Sequence, residues 1–404
     1  MRAVILAAGE SSRFWPFSGS HKSLVEILGK PLIARTVNNI PREVDEVVVV
    51  EPPDECVSKA LKDCKLNKDV EFRVQERPRG MWDAILVGAK DYGDDVLVVS
   101  GHQFSKFALE KLVSGVGTKL LLSKVDNPGE YGVAVVEGDF VVGIREKPKK
   151  PESNLVVSSI YRLSHEFVLR LASSGGGGQY KFERVLSSYL SEHPANFEIV
   201  PKEEVPSLKY PWDALSVMER LLEEVKHKVK GEVSVDATLE GDVFVDEGAR
   251  VMGGARIIGP AYIGRGAFVG TSALVRQSCV EMGSVVGFGS EVARSLVGPG
   301  CAVHHSFVGD SVLGRKVWFG FGAVTANRRF DKKSVVSVVK GKKKELGRGH
   351  FGCAVGDGTR VGVGALIMPG VLVGKNVTVG PGTIVDRNVP DGKKLYVVQK
   401  RVMK

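Results

Sequence analysis

An aliphatic residue returns at every sixth position through two long stretches of the second half of the chain. The carboxy-terminal stretch carries it at Val355, Val361, Ile367, Val373, Val379 and Val385. The earlier stretch carries it at Val245, Val251, Ile257, Ile263, Val269 and Val275. Neither an α-helix, with a period of about 3.6, nor a strand, with a period of about 2, produces this spacing. A triangular solenoid that turns one aliphatic side chain inward on each side does, so the sequence predicts a β-helix of hexapeptide repeats.

The six-residue rhythm is interrupted in two places. Between residues 279 and 313 it persists but slips in phase, and between residues 326 and 352 it disappears into a long basic insertion. A coil of stacked repeats is a scaffold, so function resides where the repeat is broken. A loop of this length in a compact fold is usually functional or disordered, and we expect this one to carry binding residues.

Length, cysteine usage and hydropathy limit the class of protein. A chain of 404 residues exceeds the size at which one hydrophobic core stops growing, so two domains are expected. The cysteines are far apart and form no Cys-x-x-Cys pair, which favours a reducing compartment over a disulfide framework or a zinc site. No segment is predicted to be a signal peptide or a membrane span, so we expect a cytoplasmic protein without a membrane partner.

The chain is basic, with a formal net charge of +9. Its densest basic run, residues 340–344, lies inside the solenoid and lacks the interleaved aromatic residues of a nucleic-acid-binding surface. Phosphorylated small molecules are therefore the predicted partners, and nucleic acid is not. A basic loop that is merely solvated is the alternative interpretation.

The first half of the chain alternates short apolar segments with helical ones. Strands are predicted at residues 2–7, 44–50, 70–74 and 96–100, and a helix at residues 82–90. This alternation predicts a parallel, doubly wound α/β (Rossmann-like) sheet, which binds ligands outside the carboxyl ends of its strands. The first strand leads into the small residues of Ala8-Gly9-Glu10-Ser11-Ser12 and then Arg13, an arrangement in which backbone N–H groups can cradle phosphates.

These residues resemble the signature of the sugar-1-phosphate nucleotidylyltransferases. The matching segments are residues 6–13 (LAAGESSR), 22–24 (KSL), 29–31 (GKP), 83–85 (DAI), 146–148 (EKP) and 210–213 (YPWD). The resemblance implies that a sugar 1-phosphate attacks the α-phosphorus of a nucleoside triphosphate, with Mg²⁺ offsetting charge. The residues that it assigns to nucleotide and sugar-phosphate binding are Ala8, Gly9, Arg13, Lys22, Gln75, Gly80, Glu146 and Lys147.

Both carboxylates that hold magnesium in the family pattern are replaced in this sequence. His102 follows the fourth strand where the pattern has an aspartate, and Ser207 stands three residues before the Tyr-Pro-Trp-Asp segment. Because Mg²⁺ prefers carboxylate oxygen, we expect little or no nucleotidyl transfer and no resident metal. In the alternative interpretation Asp94, Asp95 or Asp213 supplies a displaced carboxylate, and His102 is an ordinary loop histidine that faces solvent.

The neighbourhood of the insertion resembles a second family pattern. Residues 304–311 (HHSFVGDS), 325–333 (TANRRFDKK) and 356–357 (GD) are similar to the hexapeptide-repeat acetyltransferase half of the bifunctional enzymes of UDP-N-acetylglucosamine synthesis, archaeal type. The resemblance implies that acetyl-CoA is the cosubstrate, that Ala365 and Leu366 begin the coenzyme A channel, and that the protein is a homotrimer or a multiple of one. It assigns catalysis to His304 and acceptor binding to Asn327, Arg328 and Lys333.

An imidazole suits this chemistry, because an amino sugar must lose a proton before its nitrogen can attack a thioester. His304 is the predicted base, whereas His305 is expected to point to the opposite side of an extended strand. Asn327 could hydrogen-bond the sugar, and Arg328, Lys332 or Lys333 could neutralise its phosphate, unless these cations are only solvated. Phe307 and Val336 depart from the family pattern, which has a tyrosine and a lysine there, so acceptor binding is expected to differ.

We therefore predict two domains: a nucleotidyltransferase-like domain at residues 1–228 and a left-handed β-helix at residues 229–404. The predicted function is acetyl-CoA-dependent N-acetylation of an amino-sugar 1-phosphate, with glucosamine 1-phosphate as the expected acceptor. The nucleotidyltransferase-like domain, called the head below, is expected to have low or no nucleotidyltransferase activity. The first alternative is an active sugar-1-phosphate nucleotidylyltransferase, which magnesium-dependent pyrophosphate release would reveal. The second is a non-catalytic regulatory subunit of a nucleotide-sugar enzyme.

Overall fold

The structure is a computed structural model that describes residues 1–17, 21–178, 180–400 and 402–403. The chain forms two compact units. One comprises Met1–Glu10 with Lys30–Pro206, and the other comprises Ser11–Gly29 with Ser207–Lys404. The domain boundary predicted between residues 228 and 229 was drawn from sequence motifs, and it stays a prediction. No helix in the described part of the chain is long and apolar enough to cross a membrane.

The first unit is built on a nine-stranded sheet. In spatial order its strands are Val70–Val74, Glu46–Glu51, Arg2–Leu6, Val96–Ser100, Leu155–Leu163, Lys119–Lys124, Ala195–Ile199, Phe140–Glu146 and Gly132–Glu137. The first four strands are parallel, and the next runs antiparallel to them. The predicted parallel α/β sheet is thus confirmed for the strands that were predicted, and the remaining strands extend it as a mixed sheet.

Helices cover the sheet of the first unit. They are Leu32–Asn38, Cys56–Leu61, Met81–Ala89, Lys106–Val113, His165–Ser173 and Lys181–Glu192, with short 3₁₀ turns at Pro128–Glu130 and Lys202–Glu204. The middle residues of the central parallel strands are apolar, because a parallel sheet is buried on both faces. Val4, Val48 and Val98 are each 0% exposed. This burial fixes the carboxyl ends of the strands, where a ligand binds in such sheets.

The second unit is a solenoid with three faces, each a parallel sheet. The first face contains Lys228–Val229, Val243–Val245, Ala261–Ile263, Cys279–Val280, Leu296–Val297, Val312–Leu313, Cys353–Val355 and Val371–Val373. The second contains Glu232–Val233, Arg250–Val251, Phe268–Val269, Val285–Val286, Ala302–Val303, Trp318–Phe319, Arg360–Val361, Thr378–Val379 and Lys394–Leu395. The third contains Thr238–Glu240, Arg256–Ile258, Leu274–Arg276, Glu291–Ala293, Phe307–Gly309, Val324–Thr325, Leu366–Ile367 and Ile384–Val385.

The predicted left-handed β-helix of hexapeptide repeats is confirmed, and the aliphatic residues of the six-residue rhythm form its core. Val251, Ile257 and Ile263 are among the buried residues of one continuous hydrophobic cluster. The helix that precedes the solenoid is Asp213–Leu222, and the first solenoid strand begins at Lys228.

The phase slips between residues 279 and 313 are shortened coils. Phe244 pairs with Tyr262, 18 residues later, whereas Tyr262 pairs with Cys279, 17 residues later, and Leu296 with Val312, 16 residues later. Each shortened turn lacks a peptide group, and a buried serine hydroxyl provides a donor and an acceptor in its place. The serines at the shortened turns are Ser278, Ser295, Ser306 and Ser311, and Ser284 and Ser290 are buried at six-residue turns of the same segment.

Ser295 illustrates the arrangement. It is 0% exposed. Its Oγ donates to the carbonyl oxygen of Ala293 at 2.8 Å and accepts from the N–H of Ser311, one coil later, at 3.0 Å. The N–H of Ser295 in turn donates to Ser278 Oγ, one coil earlier, at 3.0 Å. The hydroxyls therefore continue the hydrogen-bonding of the stacked coils through the shortened corner.

The insertion between residues 326 and 352 is a folded hairpin. Val336–Val339 pairs antiparallel with Lys342–Glu345, and a two-residue turn at Lys340 and Gly341, with φ of 50° and 73°, joins them. Val335 and Phe351 at its base are 0% exposed. Asn388 Nδ2, from a later coil, donates to the carbonyl oxygen of Val338 at 2.8 Å. The hairpin is thus docked on the solenoid.

Replacing Ser295 with alanine should lower the free energy of unfolding by about 1–3 kcal/mol, because the N–H of Ser311 would lose its acceptor in a buried corner. Thr271→Ala, at an exposed corner of the same solenoid, is the control and should change stability little. Urea denaturation measures both. Equal stability of the two variants would contradict the role given to the serine hydroxyls.

Candidate functional site

Two of the predicted phosphate-binding residues, Ala8 and Gly9, lie in the first unit directly after the strand Arg2–Leu6. The N–H of Ala7 donates to the carbonyl oxygen of Val50 at 2.8 Å, so the chain leaves the sheet just beyond it. Ala8 is buried, whereas Gly9 is exposed. The predicted loop therefore begins at the carboxyl end of a buried parallel strand, the position at which such sheets bind ligands.

The rest of this loop, with Arg13 and Lys22, belongs to the second unit. Ser11 stands where the family pattern has glycine, and it has the left-handed φ of 50° that explains the glycine. Its Oγ accepts from the N–H of Lys22 at 3.1 Å, and its carbonyl oxygen accepts from the N–H of Phe14. Arg13 is exposed. The loop is closed by its own hydrogen bonds and presents a guanidinium to solvent.

Lys22 is the electrostatically perturbed group of this segment. Burial lowers the pKa of its ammonium to about 8, and the nearby Asp213 carboxylate partly opposes the shift. Burial lowers the pKa of the adjacent His21 to about 3, so His21 is neutral at pH 7 and its Nδ1 accepts from the N–H of Ser23. Lys22 is a desolvated cation, which is the kind of group that an anionic ligand stabilises.

Gln75 and Gly80, two of the predicted nucleotide- and sugar-phosphate-binding residues, lie together in the first unit. Gln75 is 4% exposed, and its Nε2 donates to the carbonyl oxygen of Gly80 at 3.2 Å and to Asp83 Oδ2 at 2.8 Å. Gly80 has a φ of 116°, which requires glycine. Trp82 replaces a small residue of the family pattern, and the Lys181 ammonium lies 4.0 Å from its ring centroid.

Glu146 and Lys147 form an ion pair in the first unit, with Lys147 Nζ 2.8 Å from Glu146 Oε1. The same ammonium lies 3.3 Å from the Tyr180 hydroxyl. The structure therefore holds this lysine between two partners. It stays a predicted sugar-phosphate ligand, and Tyr180 is a neighbour that the sequence did not indicate.

The positions of the two expected magnesium ligands do not suit the metal. His102 follows the strand Val96–Ser100 and is 5% exposed, so the alternative of a solvent-facing loop histidine was wrong. Ser207 is half-buried. Among the described residues, no group of three or more His, Cys, Asp or Glu side chains is arranged to hold a metal ion. His102 offers an imidazole and Ser207 a neutral hydroxyl, and neither is the carboxylate oxygen that Mg²⁺ prefers, so these two positions do not fit the metal.

The carboxylates considered as displaced ligands are engaged elsewhere. Asp95 precedes the strand Val96–Ser100 and so lies at its amino end, and its Oδ2 binds Arg162 at 2.8 and 3.0 Å. Asp94 Oδ1 accepts from the N–H of Asp95 at 2.7 Å. Asp213 Oδ2 accepts from the N–H groups of Lys209 and Tyr210 at 2.6 and 2.8 Å. These contacts argue against a displaced metal site.

His304 occupies a corner of the solenoid directly after the strand Ala302–Val303. The equivalent corner residues of the coils before and after it are Gly287 and Gly320, which also follow strands of the second face. A Cβ at Gly287 would lie 3.8 Å from the imidazole Cδ2. The exposed His304 ring is therefore flanked by positions without side chains, which leaves its edges open to a ligand.

The expectation that His305 continues an extended strand was wrong. Its φ of 45° turns the chain, and its ring stacks between Phe288 and Phe321, with ring centroids 5.8 and 4.7 Å away. His305 Nδ1 lies 3.0 Å from the carbonyl oxygen of Phe288, so this nitrogen carries the proton. His304 meets the same Phe321 ring edge-on, at 5.7 Å. Both histidines therefore contact the ring of Phe321.

Asn327 is held by a buried carboxylate at another corner. Its Nδ2 donates to Asp310 Oδ2 at 2.5 Å, and Arg294 binds the same carboxylate through two bonds of 2.7 and 2.6 Å. Asp310 is 6% exposed. Because a carboxylate only accepts, the amide must direct its NH₂ group at Asp310 and present its carbonyl oxygen on the other side. That oxygen can accept a hydrogen bond from a ligand.

Arg328 and Lys333 are exposed cations at the start of the insertion. Lys333 is positioned through its backbone, whose N–H donates to Asp331 Oδ1 at 3.2 Å. Of the two departures from the family pattern, Phe307 has a packing contact, since its ring lies over Gly309, where a Cβ would be 2.5 Å from it. Val336 meets Gly370 through its backbone carbonyl, a contact that does not depend on the valine side chain.

The structure does not bring His304 and Asn327 to one point of a single chain. His304 precedes the strand Phe307–Gly309, and Asn327 lies beside Gly309 at its other end. The predicted base, His304, and the predicted acceptor-binding residue, Asn327, therefore lie at opposite ends of this strand.

Sequence reasoning missed Arg294, Asp310, Phe288 and Phe321 as neighbours of the predicted residues. The missing signal was the coil length. Arg294 and Asp310 are 16 residues apart, and Asp310 and Asn327 are 17 apart, as are Phe288 and His305. In a stacked solenoid, residues one coil apart are in contact.

Comparison with known proteins places both halves of the chain. The family model for nucleotidyl transferase matches residues 2–224. The bifunctional protein GlmU of Methanococcus maripaludis strain C7 is 36% identical over 91% of this chain and 90% of its own length. A bifunctional sugar-1-phosphate nucleotidylyltransferase/acetyltransferase of Sulfurisphaera tokodaii is 30% identical over 91% of this chain and 93% of its own. A glucose-1-phosphate thymidylyltransferase of Streptomyces antibioticus is 28% identical and covers 62% of this chain.

If Lys22 binds an anion, the affinity should fall as pH rises through about 8, because the free protein loses the ammonium charge there. We expect about a tenfold loss of UTP affinity for each pH unit above that value. Lys22→Arg keeps its charge and should show a much flatter profile, and the comparison cancels any titration of the ligand itself. Parallel profiles for the two proteins would show that Lys22 does not contact the anion.

Proposed function

Because the chain belongs to the family of bifunctional sugar-1-phosphate nucleotidylyltransferase/acetyltransferases, we propose that its solenoid transfers the acetyl group of acetyl-CoA to an amino-sugar 1-phosphate, with glucosamine 1-phosphate as the acceptor. The observation that carries this proposal is the corner at His304. An exposed imidazole lies between two glycine corners, so both ring edges are accessible.

His304 is the proposed general base. Its imidazole takes a proton from the amino group of the acceptor, and the freed lone pair forms a C–N bond with the thioester carbonyl carbon. The C–S bond then breaks, and the thiolate of coenzyme A leaves and is protonated. General base catalysis of this kind contributes roughly 10²- to 10⁴-fold to the rate. The Phe321 ring, edge-on to His304, limits the orientations that the imidazole can adopt.

Asn327, Arg328 and Lys333 are the proposed acceptor-binding residues. The Asn327 carbonyl oxygen, directed away from Asp310, accepts a hydrogen bond from the sugar. Arg328 and Lys333 are exposed on the insertion, and their charges suit a phosphate monoester. Phe307 cannot donate the hydrogen bond that a tyrosine would, so the acceptor loses one polar contact relative to the family pattern.

The arrangement of these residues supports a site completed by a second copy of the chain. His304 lies before the strand Phe307–Gly309, and Asn327 lies beside Gly309 at its other end. In a trimer with a threefold axis, the base of one copy can face the acceptor residues of the next. Large apolar side chains on the outer faces, Trp318 at 42% and Ile384 at 59% exposed, would be covered in such an assembly.

The head is proposed to bind a nucleotide or sugar phosphate and to catalyse its transfer poorly. His102 and Ser207 stand at the two positions where the family pattern has carboxylates. The candidate replacements, Asp95 and Asp213, are engaged in structural hydrogen bonds. Loss of a Lewis acid removes several kcal/mol of transition-state stabilisation, and each 1.4 kcal/mol is about tenfold in rate. A cytoplasmic location is proposed because the five cysteines are far apart in the sequence and form no pattern of a disulfide framework.

Acetyl-CoA consumption with glucosamine 1-phosphate tests the solenoid. The natural protein should show a clear rate, and His304→Ala should lower kcat/KM at least 100-fold because the amine loses its base. His227→Ala, which removes an exposed histidine at the start of the solenoid, is the matched control and should retain the natural rate.

Two outcomes would contradict this assignment. A His304→Ala protein as active as the control would exclude His304 as the base. No rate in the natural protein, with galactosamine 1-phosphate also tried, would favour the alternative of a regulatory subunit whose head senses nucleotide sugars.

A further inference from the structure

Lys340 lies at the tip of the insertion hairpin, and its Nζ is 2.8 Å from Ser12 Oγ. Ser12 is part of the signature segment, directly before Arg13. We propose that Lys340 is a phosphate-binding residue of the nucleotide loop, and that its ammonium supplies positive charge at the phosphates of a nucleotide bound without Mg²⁺. This inference rests on the proposed binding of nucleotide by the signature segment.

The hairpin holds Lys340 rigidly. Its turn contains two residues, both with positive φ, so the tip is as short as a hairpin allows. The strand Val336–Val339 is fixed from below by Asn388, which donates to Val338, and the close approach of Val336 to Gly370 permits no side chain between them. Arg348 pairs with Glu219 at the base of the hairpin. A lysine on this support has less freedom to lose on binding than one on a mobile loop.

The signature segment is held by the same scaffold. Glu281, which is 0% exposed, accepts from the N–H groups of Leu28 and Gly29 at 2.8 and 2.9 Å. Trp15 Nε1 donates to Asp391 Oδ1 at 2.9 Å. Glu26 pairs with Arg315. Coils of the solenoid therefore position both the loop and the hairpin tip, and these contacts hold Lys340 next to Ser12.

The charge at the loop is consistent with an anion bound without metal. Arg13 and Lys22 are on the segment, Lys340 reaches it from the hairpin, and Ser12 Oγ is a bonding partner that a phosphate oxygen can replace. A lysine acts on phosphate as a compact point charge with three donors. In the family pattern, two carboxylates hold a divalent cation that brings positive charge to the phosphates. Those carboxylates are missing here, and the ammonium of Lys340 supplies part of that positive charge. It supports binding, but it cannot replace a Lewis acid in transfer.

Calorimetric titration with inorganic tripolyphosphate, a probe without a base, tests the inference on the full chain. The natural protein should bind it in EDTA, and Mg²⁺ should not tighten binding. Lys340→Ala should weaken binding about tenfold, which corresponds to about 1.4 kcal/mol. Lys343→Ala, which removes an equal charge from the same hairpin away from its tip, is the control and should bind like the natural protein. UTP is titrated in parallel as the nucleotide probe.

The outcomes separate the inference from the proposal on which it rests. Equal affinities for the Lys340 and Lys343 variants, or binding only in the presence of Mg²⁺, would overturn the role of Lys340 while leaving a nucleotide-binding head. No binding of tripolyphosphate or UTP by the natural protein under either condition would overturn both. Acetyl transfer by each variant shows that the fold is intact, since neither lysine belongs to the acceptor site.

Discussion

Stacking of successive coils is the interaction on which the structure of the second unit depends. Each strand of a face pairs in parallel with the strand one coil earlier and one coil later, so a residue has neighbours 16 to 18 positions away. The core aliphatic residues obey this constraint, and so do the groups that carry the proposed chemistry. Arg294, Asp310 and Asn327 form one such column, and Phe288, His305 and Phe321 form another.

The shortened coils connect this constraint with function. His305 and Asp310 occur at shortened corners with φ of 45° and 48°, and Ser272 and Lys316 at regular corners have similar values of 56° and 54°. Non-glycine residues in this region cost of order 1 kcal/mol or more and persist only where the surroundings fix them. Buried serine hydroxyls provide the missing hydrogen bonds, as Ser290 does for the N–H of Ser306. The solenoid is therefore distorted where its polar side chains are needed.

Several features of the fold were predictable because they repeat. The six-residue rhythm predicts the solenoid, since one inward aliphatic per side is a geometric requirement, and the apolar strands predict the parallel part of the first sheet. The left-handed φ of Ser11 could also be inferred, because the family pattern has glycine there. These predictions depend on local sequence or on a regular period, which single-sequence reasoning can read.

Other features could not be predicted, because they depend on contacts between distant residues. The burial of His102 follows from the sheet around it, and the engagement of Asp95 depends on Arg162, far along the chain. The contact between Lys340 and Ser12 joins residues 328 positions apart. The orientation of His305 was wrong because His305 lies at a corner of the solenoid, where the equivalent residues Gly289 and Gly322 also have positive φ. Counting the residues in each coil would have corrected the prediction for His305, but not the others.

The central proposal is that this chain acetylates an amino-sugar phosphate and transfers the product to a nucleotide poorly or not at all. Phosphorus NMR of a single reaction measures this most directly. The mixture contains acetyl-CoA, glucosamine 1-phosphate, Mg²⁺ and UTP, dTTP, GTP and ATP together. The account predicts that N-acetylglucosamine 1-phosphate accumulates without pyrophosphate or a nucleotide sugar. Growth of diphosphate-sugar and pyrophosphate signals alongside the acetylated product would contradict it, because the head would then be transferring nucleotide without the expected carboxylates.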